Sequence, residues 1–187
     1  MIKYLKKVIS KINSDRSELF RLKTTDAHIQ RWGASWFRAG ILAVNDSGEY
    51  LCVEEKRAKI NGVYQDVSDI WNLPSGCSER HEDIVATACR EGKEETGYTF
   101  QPSGICQIIH SSDPLNPYIM IVFVAQAIGG EHDFDHSEIK AHRWLSREQI
   151  SILNNQNKLR SPGFILGAIS NYESGLIMPL DILRLKS

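Results

Sequence analysis

One helix in this sequence carries marks at both ends, and the runs around it are shorter and strand-like. Residues 83–95 set Ile84, Val85, Ala88 and Cys89 on an apolar side, with Asp83 at the start and Gly97 just past the end. An acidic side chain suits the unpaired N–H groups of a first helical turn, and glycine takes the left-handed conformation that stops a helix. Ahead of it, Phe37 to Val44, the turn Asn45-Asp46-Ser47-Gly48 and Tyr50 to Glu54 read as a hairpin. Residues 56–70 are polar and contain Asn61-Gly62, which leaves two readings open, a second hairpin or a loop over a site. Trp71 to Gly76 reads as a strand end running into a Pro/Gly turn. Behind the helix the pattern predicts strands over 103–110, 118–127 and 139–145, then helices over 147–153 and 162–173. Strands and helices mingle without a regular βαβ repeat, so the expected class is α+β, or a mixed-sheet α/β sandwich, rather than a doubly wound fold.

The chain has 187 residues, enough for one domain with an appended element. The expected division is an N-terminal helical extension over 1–35 and a single domain over 36–187. In the extension Ile2, Leu5, Ile9 and Ile12 recur at helical spacing with Lys3, Lys6, Lys7 and Lys11 between them. Those lysines interrupt the apolar stretch a secretory signal needs, so the segment reads as retained. Its basic face reads as solvated rather than membrane-bound. The net charge of −1 gives no electrostatic footprint for nucleic acid or an anionic membrane. The longest apolar run, Tyr118 to Ala125, is eight residues, far short of the ~20 that a spanning helix needs. Cys52, Cys77, Cys89 and Cys106 match neither a disulfide framework nor a paired zinc pattern, and reduced thiols in a cytoplasm are expected.

The helix itself carries the chemistry. Glu91, Glu94 and Glu95 stand at i, i+3 and i+4 and fall within an arc of about 100° on one face. Arg90 reaches Glu94 one turn on and Glu82 across the preceding turn, but one guanidinium does not neutralise four carboxylates. A divalent cation would supply most of the missing charge, and a donor set of hard oxygens suits Mg²⁺ or Mn²⁺ rather than Zn²⁺. On the triad alone, a charged solvent-facing stripe that includes Lys93 is the better account. The surroundings decide against it. Gly76, five residues, Glu82, seven residues, then Arg90-Glu91-Gly92-Lys93-Glu94-Glu95-Thr96-Gly97-Tyr98 is a spacing of seven specified positions, expected by chance on the order of once in a million chains this long.

This spacing resembles the Nudix box, G-x5-E-x7-R-E-U-x-E-E-x-G-U with U apolar. The resemblance implies a mixed sheet sandwiched between helices, with the box as loop, helix and loop. It implies Mg²⁺- or Mn²⁺-dependent hydrolysis of a phosphoanhydride bond in a nucleoside di- or triphosphate or related pyrimidine diphosphate, a small-molecule substrate. Carried over by position, Glu91, Glu95 and Glu94 are the expected metal ligands, with the Gly76 carbonyl a further one. Glu82, Arg90 and Gly97 hold the box together. The catalytic base is open between Glu91 and Glu138. One position departs from the box: Gly92 stands where a bulky aliphatic residue is usual, which costs ~1 kcal/mol of helix propensity relative to alanine and leaves an expected packing gap.

Beyond the box, Val53-Glu54-Glu55, Trp71-Asn72-x-Pro74, His132-Asp133-x-Asp135, Arg143-Trp144-x-Ser146-x-Glu148, Leu159-Arg160-Ser161-Pro162 and Tyr172-x-Ser174-Gly175 resemble the bacterial NudJ-type phosphatases, over about residues 37–182. That implies release of phosphate from nucleoside di- and triphosphates. The N-terminal segment and a longer insertion between Glu55 and Trp71 depart from that subgroup. Trp71, Tyr64 and Phe37 are candidate stacking faces for a base, with core packing the alternative. Lys56, Arg57 and Lys59 are candidate phosphate contacts, with a solubilised loop the alternative. His81 reads as an exposed spacer. Other readings are an ADP-ribose or dinucleotide pyrophosphatase, for which the extension would build a homodimer, and a nucleotide-sensing module without turnover.

Overall fold

The computed structural model describes residues 37–60, 63–111, 117–130 and 133–183, with only the backbone of residues 58–60, 63 and 64. The expected N-terminal helix and extension lie outside the described residues. Strand β1 (Phe37–Ala43) is the centre of the first sheet, pairing antiparallel with the short β4 (Ser75–Cys77) and parallel with β6 (Tyr118–Gly129). Strand β5 (Thr99–Ser111) closes the far edge, giving the order β4-β1-β6-β5. The parallel pair makes this sheet mixed, as expected. A second, antiparallel sheet of order β3-β2-β7 is built from β2 (Tyr50–Ile60), β3 (Val63–Asn72) and β7 (Ile139–Leu145). The open reading of residues 56–70 therefore resolves as hairpin strands. The β2–β3 register runs as far as Ile60 opposite Val63.

Alternation along the strands explains how the layers pack. In β1 and β6 the residues Ala39, Ile41, Ala43, Ile121, Phe123 and Ala125 face one cluster, while Leu42, Met120, Val122 and Val124 face the other. Successive side chains point to opposite faces, so a strand apolar at every position is covered on both sides. Helix α1 (Ile84–Thr96) covers the first face through Ala88. Helix α3 (Pro162–Glu173) covers the second through Phe164, Ile165, Ala168 and Ile169, joined by Ile150 of α2 (Arg147–Asn155). Burying one such Ile or Phe side chain contributes roughly 1.5–3 kcal/mol. The fold is α+β, a mixed sheet between helices with a second sheet beside it.

Local signals place α1. Asp83 accepts hydrogen bonds from the Val85 and Ala86 N–H groups (2.8 and 3.1 Å), and Gly97 ends the helix at φ 74° with its N–H on the Lys93 carbonyl. Gly92 corrects one expectation. The space its missing side chain leaves is filled from outside the helix, since a Cβ there would lie 2.8 Å from the Phe100 ring and 2.9 Å from Ile41. No gap remains. After α2 the chain lies back on β3, where the Trp71 N–H donates to the Lys158 carbonyl (2.8 Å) and the Arg160 N–H to the Trp71 carbonyl (2.9 Å). Past α3, Met178 exchanges two backbone hydrogen bonds with Ile105 of β5 (2.8 and 2.9 Å).

Candidate functional site

Short β4 and the inner face of α1 meet because Gly76 has no side chain. A Cβ on Gly76 would fall on the Glu91 carboxylate itself, so that carboxylate rests directly against the Gly76 backbone. One residue earlier, the Ser75 N–H donates to Glu95 Oε2 (2.9 Å). Both inner carboxylates of the helix are thus held to the loop that enters it.

Arg90 ties down the other end of the loop. Its Nε and Nη2 donate to the two oxygens of Glu82 (2.8 and 3.0 Å), and Nη2 also donates to the Cys77 carbonyl (3.0 Å). Nη1 meets Glu91 (2.9 Å) and Glu94 (3.0 Å). Glu82 takes further hydrogen bonds from the Glu79 N–H and the Thr87 hydroxyl. Burial pushes the Glu82 carboxyl up, but Arg90, Glu79 and Thr87 together hold it below its ordinary value. The guanidinium in turn is held above its ordinary value, chiefly by Glu82. This forked pairing, not a single contact, sets the loop on the helix.

The inner carboxylates behave differently. Burial pushes Glu91 up to about 7 even though Arg90 opposes it, with Glu94 and Glu82 adding to the rise. Glu95 is pushed well above the carboxylate range, by burial first and then by the charges of Glu91, Glu55 and Glu138, against the Ser75 hydrogen bond. Glu94 is the outer member: its side chain is 53% exposed, against 13% for Glu91. It lines a groove of about 360 Å³ with Lys93, Asp133, Phe134 and Asp135. Among the described residues no three acidic, histidine or cysteine side chains stand close enough to bind a metal as they are. The reason is local, because Glu91 and Glu94 turn to Arg90 while Glu95 turns to Ser75.

The donor set nevertheless fits a hard divalent cation. The oxygens are those of Glu91, Glu95 and the Gly76 loop, and like charges on Glu95 outnumber its single N–H donor. Glu138 lies on a segment tied to β2 through Lys56 and to α1 through Glu94. Its carbonyl accepts the Lys56 N–H (2.7 Å), the Asp135 N–H donates to the Glu94 carbonyl (2.7 Å), and its charge bears on both Glu95 and Glu55.

The other candidate contacts have these surroundings. Trp71 is buried, donates its ring N–H to Asp69 (3.2 Å) and has the Arg143 guanidinium over its face at 5.6 Å. Lys56 points to the His136 carbonyl (3.4 Å), and Arg57 pairs with Asp66 (3.4 Å). Tyr64 pairs with Lys59 in the β2–β3 register, and the side chains of both lie outside the described residues. Phe37 is 50% exposed at the start of β1. His81 is exposed at φ 67°, in the turn before α1. Sequence reasoning gave no role to Glu55, an enclosed carboxylate that follows the core residues Leu51, Cys52 and Val53 along β2.

Comparison with known proteins agrees with this arrangement: a NUDIX domain model matches residues 35–165. The chain belongs to the Nudix family. This Nudix protein is 33% identical over 145 residues to the phosphatase NudJ of Escherichia coli K12, covering 75% of this chain and 85% of the relative, and the same figures hold for NudJ of Shigella flexneri. Among solved structures, a Nudix hydrolase from Nitrosomonas europaea superposes with a TM-score of 0.66 at 27% identity, covering 80% of this chain and 96% of that one. The MutT protein of Methanosarcina mazei shares the fold at a TM-score of 0.53 and 22% identity, covering 75% and 94%. This Nudix protein is accordingly a hydrolase of phosphoanhydride bonds, a class that acts on small nucleotide substrates and generally uses divalent metal ions. No helix among the described residues is long and apolar enough to cross a membrane.

Proposed function

We propose that this Nudix protein is a Mg²⁺-dependent pyrophosphohydrolase that releases phosphate from nucleoside di- or triphosphates, or from a related pyrimidine diphosphate. The observation that carries the reading is Glu95, a carboxylate held inward by the Ser75 N–H while Glu91, Glu55 and Glu138 press on it. In this reading Glu91 and Glu95 hold the cation, Glu94 joins from the outer face, and Gly76 lends its carbonyl. Mn²⁺ substitutes in the same oxygen set. When bound, such an ion neutralises phosphoryl oxygens and makes water a better nucleophile.

The chain's own residues do the rest. Glu138 orients the attacking water or takes its proton, with Glu91 the competing base, and Arg90 and Glu82 keep the loop and its Gly76 carbonyl in place. The phosphatase named in Escherichia coli, at 33% identity, supports phosphate release over other cleavages. The free state of all four cysteines fits a reducing cytoplasm.

The test is a panel of nucleoside di- and triphosphates, ADP-ribose, dinucleoside polyphosphates and hydroxymethylpyrimidine diphosphate with Mg²⁺, products resolved by mass. Orthophosphate from the first group supports the proposal. AMP and ribose phosphate from ADP-ribose would replace it with the ADP-ribose reading, and no turnover on any compound would favour a sensing module. Glu95→Gln is expected to remove nearly all turnover while leaving a native circular dichroism spectrum. Wild-type rates in that variant would refute the assignment of roles.

A further inference from the structure

Two glutamates stand side by side on β2, and the sheet gives them different surroundings. Glu54 accepts the Asp69 N–H (3.2 Å) and the Lys140 ammonium (2.7 Å), so a cation in direct contact meets its charge. Glu55 is also enclosed, its side chain 14% exposed, but its direct donor is the neutral amide of Asn72 (2.9 Å). The Arg160 guanidinium pairs with its other oxygen at 3.8 Å, a longer and weaker ion pair than the 2.7 Å one between Lys140 and Glu54.

The backbone breaks register at this position on both sides. On β7 the pairing steps from Glu54–Ala141 to Glu55–Ile139, and on β3 it jumps from Glu55–Ile70 to Arg57–Asp66. An irregularity of this kind re-aims a side chain out of the regular pleat. Asn72, which holds Glu55, lies three residues before Ser75, which holds Glu95. One short stretch from the end of β3 to the start of β4 therefore fixes a carboxylate from the strand and a carboxylate from the helix, and the charge of Glu138 bears on both.

We propose that Glu55 supplies a carboxylate oxygen to the divalent-cation site from the strand side, with Asn72 as the residue that positions it. The proposal rests on reading the Glu91–Glu95 site as a metal centre. The physical case is one of charge: an enclosed carboxylate whose ion pair with Arg160 is long, at 3.8 Å, is only partly compensated, burial still pushes it up, and placing it beside other carboxylates raises that cost. A hard divalent ion shared among them removes it, and a neutral amide donor orients a ligand without competing for its charge. Glu54, already matched by Lys140, has no such role.

The experiment is Mn²⁺ titration of the full-length chain, following free Mn²⁺ by electron paramagnetic resonance, in wild type, Glu55→Gln, Glu55→Asp, Glu54→Gln and Glu95→Gln. Glu55→Gln is expected to weaken binding roughly tenfold or more. Glu55→Asp keeps the charge but shortens the reach, and is expected to weaken it too. Glu54→Gln changes net charge equally and is expected to stay within about twofold of wild type, because its carboxylate serves Lys140. Wild-type affinity in either Glu55 variant, with a native circular dichroism spectrum, overturns the inference. Equal weakening in Glu54→Gln also overturns it, since net charge alone would then explain the loss. If wild type binds no Mn²⁺, or Glu95→Gln binds as wild type does, the metal-centre reading fails first. A wild type that binds, a Glu95→Gln that does not and a Glu55→Gln that binds normally would sink only the role of Glu55.

Discussion

Replacing Arg90 with methionine removes the group that joins the Gly76–Glu82 loop to α1 while keeping an unbranched side chain of helical propensity. Three carboxylates lose a partner, and exposure decides what each loss costs. Glu82 and Glu91 are 15% and 13% exposed, so each is left as an enclosed charge without its guanidinium. Breaking a buried pair in this way costs about 3–5 kcal/mol. The Glu94 contact is a half-exposed i,i+4 pair and adds about 0.3–0.5 kcal/mol. The lost donor to the Cys77 carbonyl adds about 1 kcal/mol. Some relief follows as Glu91 takes up a proton, so the expected net loss is about 3 kcal/mol. In a domain of this size that lowers the melting temperature by roughly 6–12 °C. The assay is urea and thermal unfolding at pH 7.5 in a chelator, with Lys93→Met as an exposed control on the same helix, expected to stay within about 0.5 kcal/mol of wild type. The deficit should narrow near pH 4, where Glu82 in the variant is protonated and needs no partner. A loss under about 1 kcal/mol, or a deficit equal at pH 4 and pH 7.5, would refute the argument that this guanidinium is a buried anchor.

Two further expectations follow from the same geometry. Glu91 and Glu95 are raised in the folded state, so the fold binds more protons than the unfolded chain between about pH 4.5 and about 7, and metal-free stability should fall as pH rises through that window. Below it the sign reverses, because Glu82 is held low and its link to Arg90 is lost on protonation. Urea midpoints from pH 4 to 8 in chelator should therefore peak near the lower end of the range, and millimolar Mg²⁺ should restore the upper end; a midpoint rising steadily to pH 8 without metal would contradict this. Gly92→Leu, which supplies the bulky residue usual at that box position, should destabilise by about 2 kcal/mol or more, since Phe100 and Ile41 already occupy the space. A stabilised Gly92→Leu variant by calorimetry would mean that the helix carries a void after all.

What could be read from sequence divides along the range of the forces involved. Helix α1 was legible nearly to the residue because Asp83 and Gly97 act within one turn of their own position. Arg90 reaching Glu94 follows from helical spacing, whereas its fork on Glu82, eight residues back and outside the helix, depends on how the loop folds; the alternating strands follow from a period of two. Gly92 was misread because its neighbours, Phe100 and Ile41, come from β5 and β1, and only tertiary packing shows that they fill the space. β4 was not foreseen as a strand, since three residues carry no periodic signal. The second sheet was hidden for a different reason: β2 meets β7 across some ninety residues of chain, so the expected hairpin of β1 with β2 is split between two sheets and joined by the isolated Val44–Tyr50 bridge. Glu55 had no role on sequence grounds because its pairing with Asn72 depends on the β2–β3 register, which the polar hairpin left open.

The backbone stitches at Trp71 and Ile105 bear on how the protein is made. Trp71 leads into the Gly76 loop, yet its N–H and carbonyl are both matched by residues 158–160, and β5 is matched at Ile105 by Met178. A nascent chain still short of those segments carries the whole acidic helix but leaves open backbone groups beside it, where water must stand in. The strand leading into the Gly76 loop is therefore completed only by a segment more than eighty residues further along the chain, so a polypeptide cut short of that segment should be easy for a protease to recognise there.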